Sequence, residues 1–227
     1  MYVSTRSLLA GAAAATPLFV GAWAVQAFTR DGFRPTFHPM SLLSLGDGGW
    51  VQVANFVVTG ALIIGGGIGL GRTLGSGRLA RWASSLVILM GCGLVVAGIF
   101  VTDPGAGFPA GAPAGAPETT WHGAIHQGGF VLTQLAFTAA AVVLIVLFAR
   151  SRNRGWAVVC AASLVAALVV SAVGSPESLA IRLVISSAIE LGLVSALAGR
   201  ALRHLRRLRR PNTATYPEPH GAASRTR

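Results

Sequence analysis

Six stretches of this chain run for about 20 residues with scarcely a charged side chain, the length that carries a helix across roughly 30 Å of hydrocarbon. They fall at residues 7–28, 50–71, 82–101, 122–149, 155–174 and 179–199. A backbone surrounded by lipid must satisfy its own N–H and C=O groups, so runs of this length fold as helices. The fold class that follows is all-α, a polytopic bundle of six transmembrane helices. Only 11% of the 227 residues are charged and 53% are hydrophobic, whereas soluble domains carry roughly 25% charged residues.

The net charge of +11 raises nucleic acid as a partner, but its placement argues for a membrane instead. All 18 basic residues are arginines, gathered at alternate ends of the apolar runs and in the tail. This is the asymmetry that the positive-inside rule describes. It assigns Arg6, the loop at 72–81, the loop at 150–154 and the tail to the cytoplasm, so both termini are expected there. Arg30, Arg34 and Arg182 fall on the outer side with Asp31, Asp47, Asp103, Glu118 and Glu177. The expected organisation is a transmembrane domain over residues 1–204 in a plasma membrane, then a basic, disordered tail over 205–227. Clustered arginine just past a last helix suits contact with anionic lipid, although an ordinary stop-transfer anchor needs no more.

The first run is longer than the apolar core of a signal peptide, which favours a retained helix over a cleaved one. Thr16-Pro17 is expected to kink it. Cys92 and Cys160 lie in separate apolar runs, as buried thiols do. The glycines at 65–71 lack the register of a phosphate loop and fit close helix packing better. Gly91, Gly93 and Gly98 in the third run read the same way.

Polar residues inside hydrocarbon are costly and rarely persist without a partner or a role. Three helices carry them at helical spacing: Gln52, Asn55 and Thr59; His122, His126 and Gln134; Arg182, Ser186 and Glu190. Each set shares one face. At 1.5 Å per residue Gln134 and Glu190 both lie about 17 Å deep and are expected to meet. Glu190 is expected to be neutral there, or linked to Arg182 through intervening groups.

These stripes imply a cleft open to the outer leaflet, with His38, Asp47 and Asp103 at its mouth and Gln52, Asn55, Gln134, Arg182 and Glu190 as ligand-binding candidates. The cleft would bind a membrane lipid headgroup or another amphiphile. A second reading makes the protein a membrane-embedded hydrolase or transferase with His38, Asp103, His122 and His126 as its catalytic set. Two imidazoles one helical turn apart converge on one point, so His122 and His126 with Asp103 would also suit a zinc-like ion and the water it activates. The plainer account has both histidines satisfying hydrogen bonds at a helix start. A third reading, a structural or accessory subunit, leaves the stripes to hold helices together. No pattern specifies a cofactor.

Four motifs also carry a resemblance: P-x-x-H-P-x-S-x-x-S-L-G at 35–46, G-W-x-Q-x-x-N-F at 49–56, F-x-T-D-P at 100–104 and H-G-x-x-H at 122–126. Together they resemble the bacterial membrane family named domain of unknown function 998, from the first helix to about residue 200. The resemblance implies six membrane helices and no assigned activity. A looser likeness to Frag1 and DRAM-type membrane proteins departs at S-x-x-S-L-G, where those carry I-S-D, and no function is carried over from it.

Overall fold

The computed structural model of the protein describes residues 3–208. Six helices account for most of it: α1 (Thr5–Thr29), α2 (Trp50–Gly71), α3 (Arg78–Ile99), α4 (Trp121–Arg150), α5 (Arg154–Ala172) and α6 (Leu179–Leu208). All six are long and apolar enough to cross a membrane, and no strand occurs among the described residues. The chain is a multi-pass membrane protein.

Two helices exceed their expected bounds by four residues or more, both at the arginine-rich end. The third starts at Arg78 instead of 82, and the sixth continues past 199 to Leu208. Arginine is a good helix former and its long stem lets the charge reach water from a helical turn, so hydropathy alone ends these helices too early. The remainder of the expected tail lies outside the described residues.

The helices form a ring. Each packs on its neighbours in sequence, and α6 returns to pack on α1. Glycine allows the closest approaches. A Cβ on Gly60 of α2 would lie 2.7 Å from the Gly91 carbonyl oxygen of α3, and one on Gly91 would lie 2.6 Å from that of Gly60. Gly93 and Gly129 make the same reciprocal contact between α3 and α4, at 2.6 and 2.7 Å. Residues two apart on a helix point to nearly opposite sides, so Gly91 and Gly93 bring α3 against a neighbour on each flank. The glycines at 65–71 serve similarly: a Cβ on Gly66 would meet Ala12, and one on Gly69 would meet Leu9.

Helix α1 continues through Pro17. The Ser195 hydroxyl of α6 donates to the Ala12 carbonyl at 2.8 Å and lies 3.4 Å from the Thr16 amide. It thus sits between two backbone groups that an unbroken helix would join directly. A neighbouring hydroxyl supplying the backbone beside a proline is how membrane helices tolerate that residue.

Candidate functional site

The two longest loops lie at the end away from most of the arginines, and there the family-like motifs fasten the bundle together. The final carbonyls of a helix have no partner within it. His126 Nδ1 lies 2.8 Å from the Ala97 oxygen and 3.0 Å from that of Phe100, and His122 Nδ1 lies 3.0 Å from the Val101 oxygen. Carbonyls only accept, so Nδ1 bears a proton in both rings, and in the Nδ1–H tautomer His126 presents Nε2 as an acceptor. The H-G-x-x-H pair at the start of α4 therefore caps the end of α3.

Asp103 makes the reciprocal connection. Its carboxylate accepts from the Thr120 amide at 3.0 Å and from the Thr120 hydroxyl, while that hydroxyl caps α4 by accepting from the Gly123 amide. Burial opposes the charged form, yet these bonds from Thr120 hold the Asp103 pKa below the ordinary carboxylate value. The glycine of the motif follows from the same contact, because a Cβ at Gly123 would overlap the Asp103 carboxylate. His122 Nδ1 lies 3.7 Å from Asp103 Oδ1.

His38 clasps the loop over 30–49 to the loop over 101–120. Its Nδ1 accepts from the Arg34 amide at 2.9 Å, so Nε2 carries the proton and donates to the Ala106 carbonyl at 3.1 Å. Burial depresses its pKa most, the Ala106 bond acts the other way, and the Arg34 charge adds to the depression. Phe108, 3% exposed, packs edge-on against Phe33 at 5.4 Å and beside the His38 ring. A stretch rich in Pro, Gly and Ala is thus anchored by its own buried aromatic residue.

Beneath these loops lies a cavity of about 740 Å³. Its walls come from Phe19 of α1, Phe56 of α2, Leu94 and Ala97 of α3, Phe130 of α4, and Leu179 and Leu183 of α6, with Met40 and residues 114–117 roofing it. Ser41, Asp103, His126, Gln127, Gln134 and Ser187 interrupt this apolar lining. The cavity is amphipathic, not the polar cleft expected from the stripes alone.

At its deepest lining residue on α4, Gln134 donates to Glu190 at 2.8 Å, as the depth estimate anticipated. The Ser186 hydroxyl donates to the same carboxyl oxygen at 2.9 Å and accepts from Ser171 at 3.0 Å. Arg182 donates to the Ser171 carbonyl at 2.8 Å and to the Ser175 carbonyl at 3.0 Å. Glu190 and Arg182 are thus linked through two serines. This α6 stripe faces α5 and α4.

The α2 stripe takes a different direction. Gln52, Asn55 and Thr59 are buried against α1, where the Gln26 amide donates to Gln52 at 2.8 Å and Asn55 donates to the Phe19 carbonyl at 3.1 Å. Asp47 is exposed and absent from the cavity lining, as is His38. The structure therefore gathers Asp103, His126 and Gln134 around one space, puts Glu190 directly behind Gln134, and leaves Gln52, Asn55, Arg182 and Asp47 elsewhere. Among the described residues no three of His, Cys, Asp and Glu converge where they would hold a metal ion. Sequence reasoning overlooked Ser187, the aromatic wall and Thr120, although a threonine just ahead of an apolar run is a helix-start signal.

A family model described as "Protein of unknown function (DUF998)" matches residues 13–201. No curated protein and no solved structure matches the chain.

Proposed function

Since the chain belongs to the DUF998 family, whose description assigns no activity, we propose from the geometry alone that it binds a lipid or similar amphiphile in the cavity beneath its loops. The observation that carries this reading is the lining: a space of about 740 Å³ with aromatic and aliphatic walls and a few polar groups. Ligand sites typically measure about 300–1,000 Å³ and combine apolar walls with a few orienting polar groups. An acyl or isoprenoid portion would lie along Phe19, Phe56, Phe130 and Leu183. The His126 Nε2 acceptor and Ser187 would take the polar portion.

By the positive-inside rule the arginine-rich end lies in the cytoplasm, with both termini. The cavity then faces the extracytoplasmic leaflet of the plasma membrane, from which the ligand would enter. Hydrolysis or transfer is the weaker reading. His38 spends both ring nitrogens on backbone groups, and Asp103 accepts from Thr120 through both of its oxygens. These side chains serve the loops that roof the cavity.

Native mass spectrometry of the full chain purified in mild detergent, with elemental analysis alongside, tests the proposal. An amphiphile should co-purify with the protein and be lost from L183W and S187W, which fill the cavity, while thermal unfolding and helix content stay near those of the unaltered protein. Equal occupancy in the filled variants, or an empty protein after reconstitution in whole-cell lipid, would sink the idea.

A further inference from the structure

At the opposite end of the bundle a second cavity, of about 460 Å³, opens between α2, α5 and α6. Its cationic wall is one face of α6: Arg200, Arg203, His204 and Arg207 follow the i, i+3, i+4, i+7 spacing that stacks side chains together. Leu70 from the end of α2, Leu74 from the loop after it, Trp156 from α5 and Leu197 from α6 supply apolar walls. Arg200 is half-buried and fixed in place, its guanidinium 5.0 Å from the Phe148 ring centre and 5.3 Å from that of Trp156.

No carboxylate balances this face among the described residues. Asp31, Asp47, Asp103, Glu118 and Glu177 all lie at the other end, and Glu190, ten residues before Arg200, is about 15 Å away along the helix. No Asp or Glu carboxylate lies within 4.0 Å of an arginine guanidinium among the described residues. Like charges three and four residues apart repel, so three guanidiniums on one face favour a shared anion. Their planar donors match phosphate oxygens. The favourable position of cations near a helix C-terminus accounts for positive charge here, but not for a cavity with aromatic support.

We propose that this cavity binds a phosphate-bearing anion, specifically the headgroup of an anionic phospholipid. The Arg200, Arg203 and Arg207 guanidiniums hold the phosphate, and the glycerol and first acyl carbons lie against Leu70, Leu74 and Trp156. Basic pockets between membrane helices are suited to such headgroups. The site is independent of the amphiphile cavity and stands or falls separately from it.

The test uses the full chain in neutral detergent, with lipid retention by native mass spectrometry and thermal unfolding as readouts. Phosphatidylglycerol should be retained and should raise the unfolding temperature; phosphatidylcholine should do neither. R203Q/R207Q alters two exposed side chains and should lower phosphatidylglycerol retention about tenfold or more. R81Q/R206Q removes two charges from the same end outside the cavity and should leave retention unchanged. Equal loss in the two double variants, or no preference for phosphatidylglycerol over phosphatidylcholine, would overturn the site. In a separate arm, protection by millimolar inorganic phosphate matching that by phosphatidylglycerol would overturn the lipid assignment and make soluble phosphate the ligand.

Discussion

Gln134 of α4 and Glu190 of α6 are joined by a 2.8 Å hydrogen bond, and this side-chain bridge ties the two helices behind the cavity that separates them. Glu190 is 2% exposed, so a lost partner is not replaced by bulk water. Q134L should lower stability by about 1–3 kcal/mol, the cost of leaving a buried polar group short of a hydrogen bond. E190Q, which keeps a hydrogen-bonding oxygen, should cost less. The double variant Q134L/E190L should lose less than the sum of the single leucine variants. Thermal or denaturant unfolding in one detergent measures all of these.

Asp103 couples the loop over 101–120 to the start of α4. D103A should cost about 1–3 kcal/mol through loss of its charge-assisted bonds from Thr120. Its pKa is lower folded than unfolded, so its contribution is complete above the ordinary value near 3.9 and disappears as pH falls through the folded value. The acid-side decline in unfolding temperature should therefore be shallower in D103A. G123A should show a similar loss of stability, since the added methyl and the carboxylate compete for one space.

His38 has the same sign of dependence in a higher pH range. Folding favours its neutral ring, so the contribution is complete above the ordinary value near 6.5 and is lost as pH falls below it toward the depressed folded value. Protonation of Nδ1 removes the acceptor for the Arg34 amide. Hydrogen exchange at residues 30–49 and 101–120 should accelerate as pH is lowered from 7 to about 5, after correction for intrinsic rates. H38A should exchange rapidly in these loops across the whole range.

Helix contact through glycine gives a steric prediction. G91A places a methyl 2.6 Å from the Gly60 carbonyl oxygen, and α2 and α3 must separate to admit it. A loss of about 1–3 kcal/mol is expected. G21A is the control: nothing lies within 4 Å of its added Cβ, so the change should be neutral or stabilising by about 0.4–1 kcal/mol.

The helices were legible because hydrocarbon thickness and backbone satisfaction leave a run of 20 apolar residues little choice. The meeting of Gln134 with Glu190 was legible for a similar reason, since depth follows from residue count. Rotation about the helix axis does not. Gln52 and Asn55 share a face, but whether it turns toward a cavity or toward α1 depends on Gln26 and the Phe19 carbonyl, 26 and 36 residues away in sequence. The cavity itself was hidden because apolar residues build its walls, and Phe19, Phe56 and Phe130 look the same in a sequence whether they border a space or fill one. His122 and His126 carried the reverse ambiguity: their spacing suits a metal, and the neighbouring carbonyls of α3 are what occupy them.

Because α6 packs on α1 to close the ring, α6 meets a helix that left the ribosome well before it. Until it arrives, the Ala12 carbonyl beside Pro17 lacks Ser195, Gln134 lacks Glu190, and the amphiphile cavity has one side open to lipid. Partial insertion products ending before residue 179 should thus be recognisable to membrane quality control by polar groups that α6 conceals.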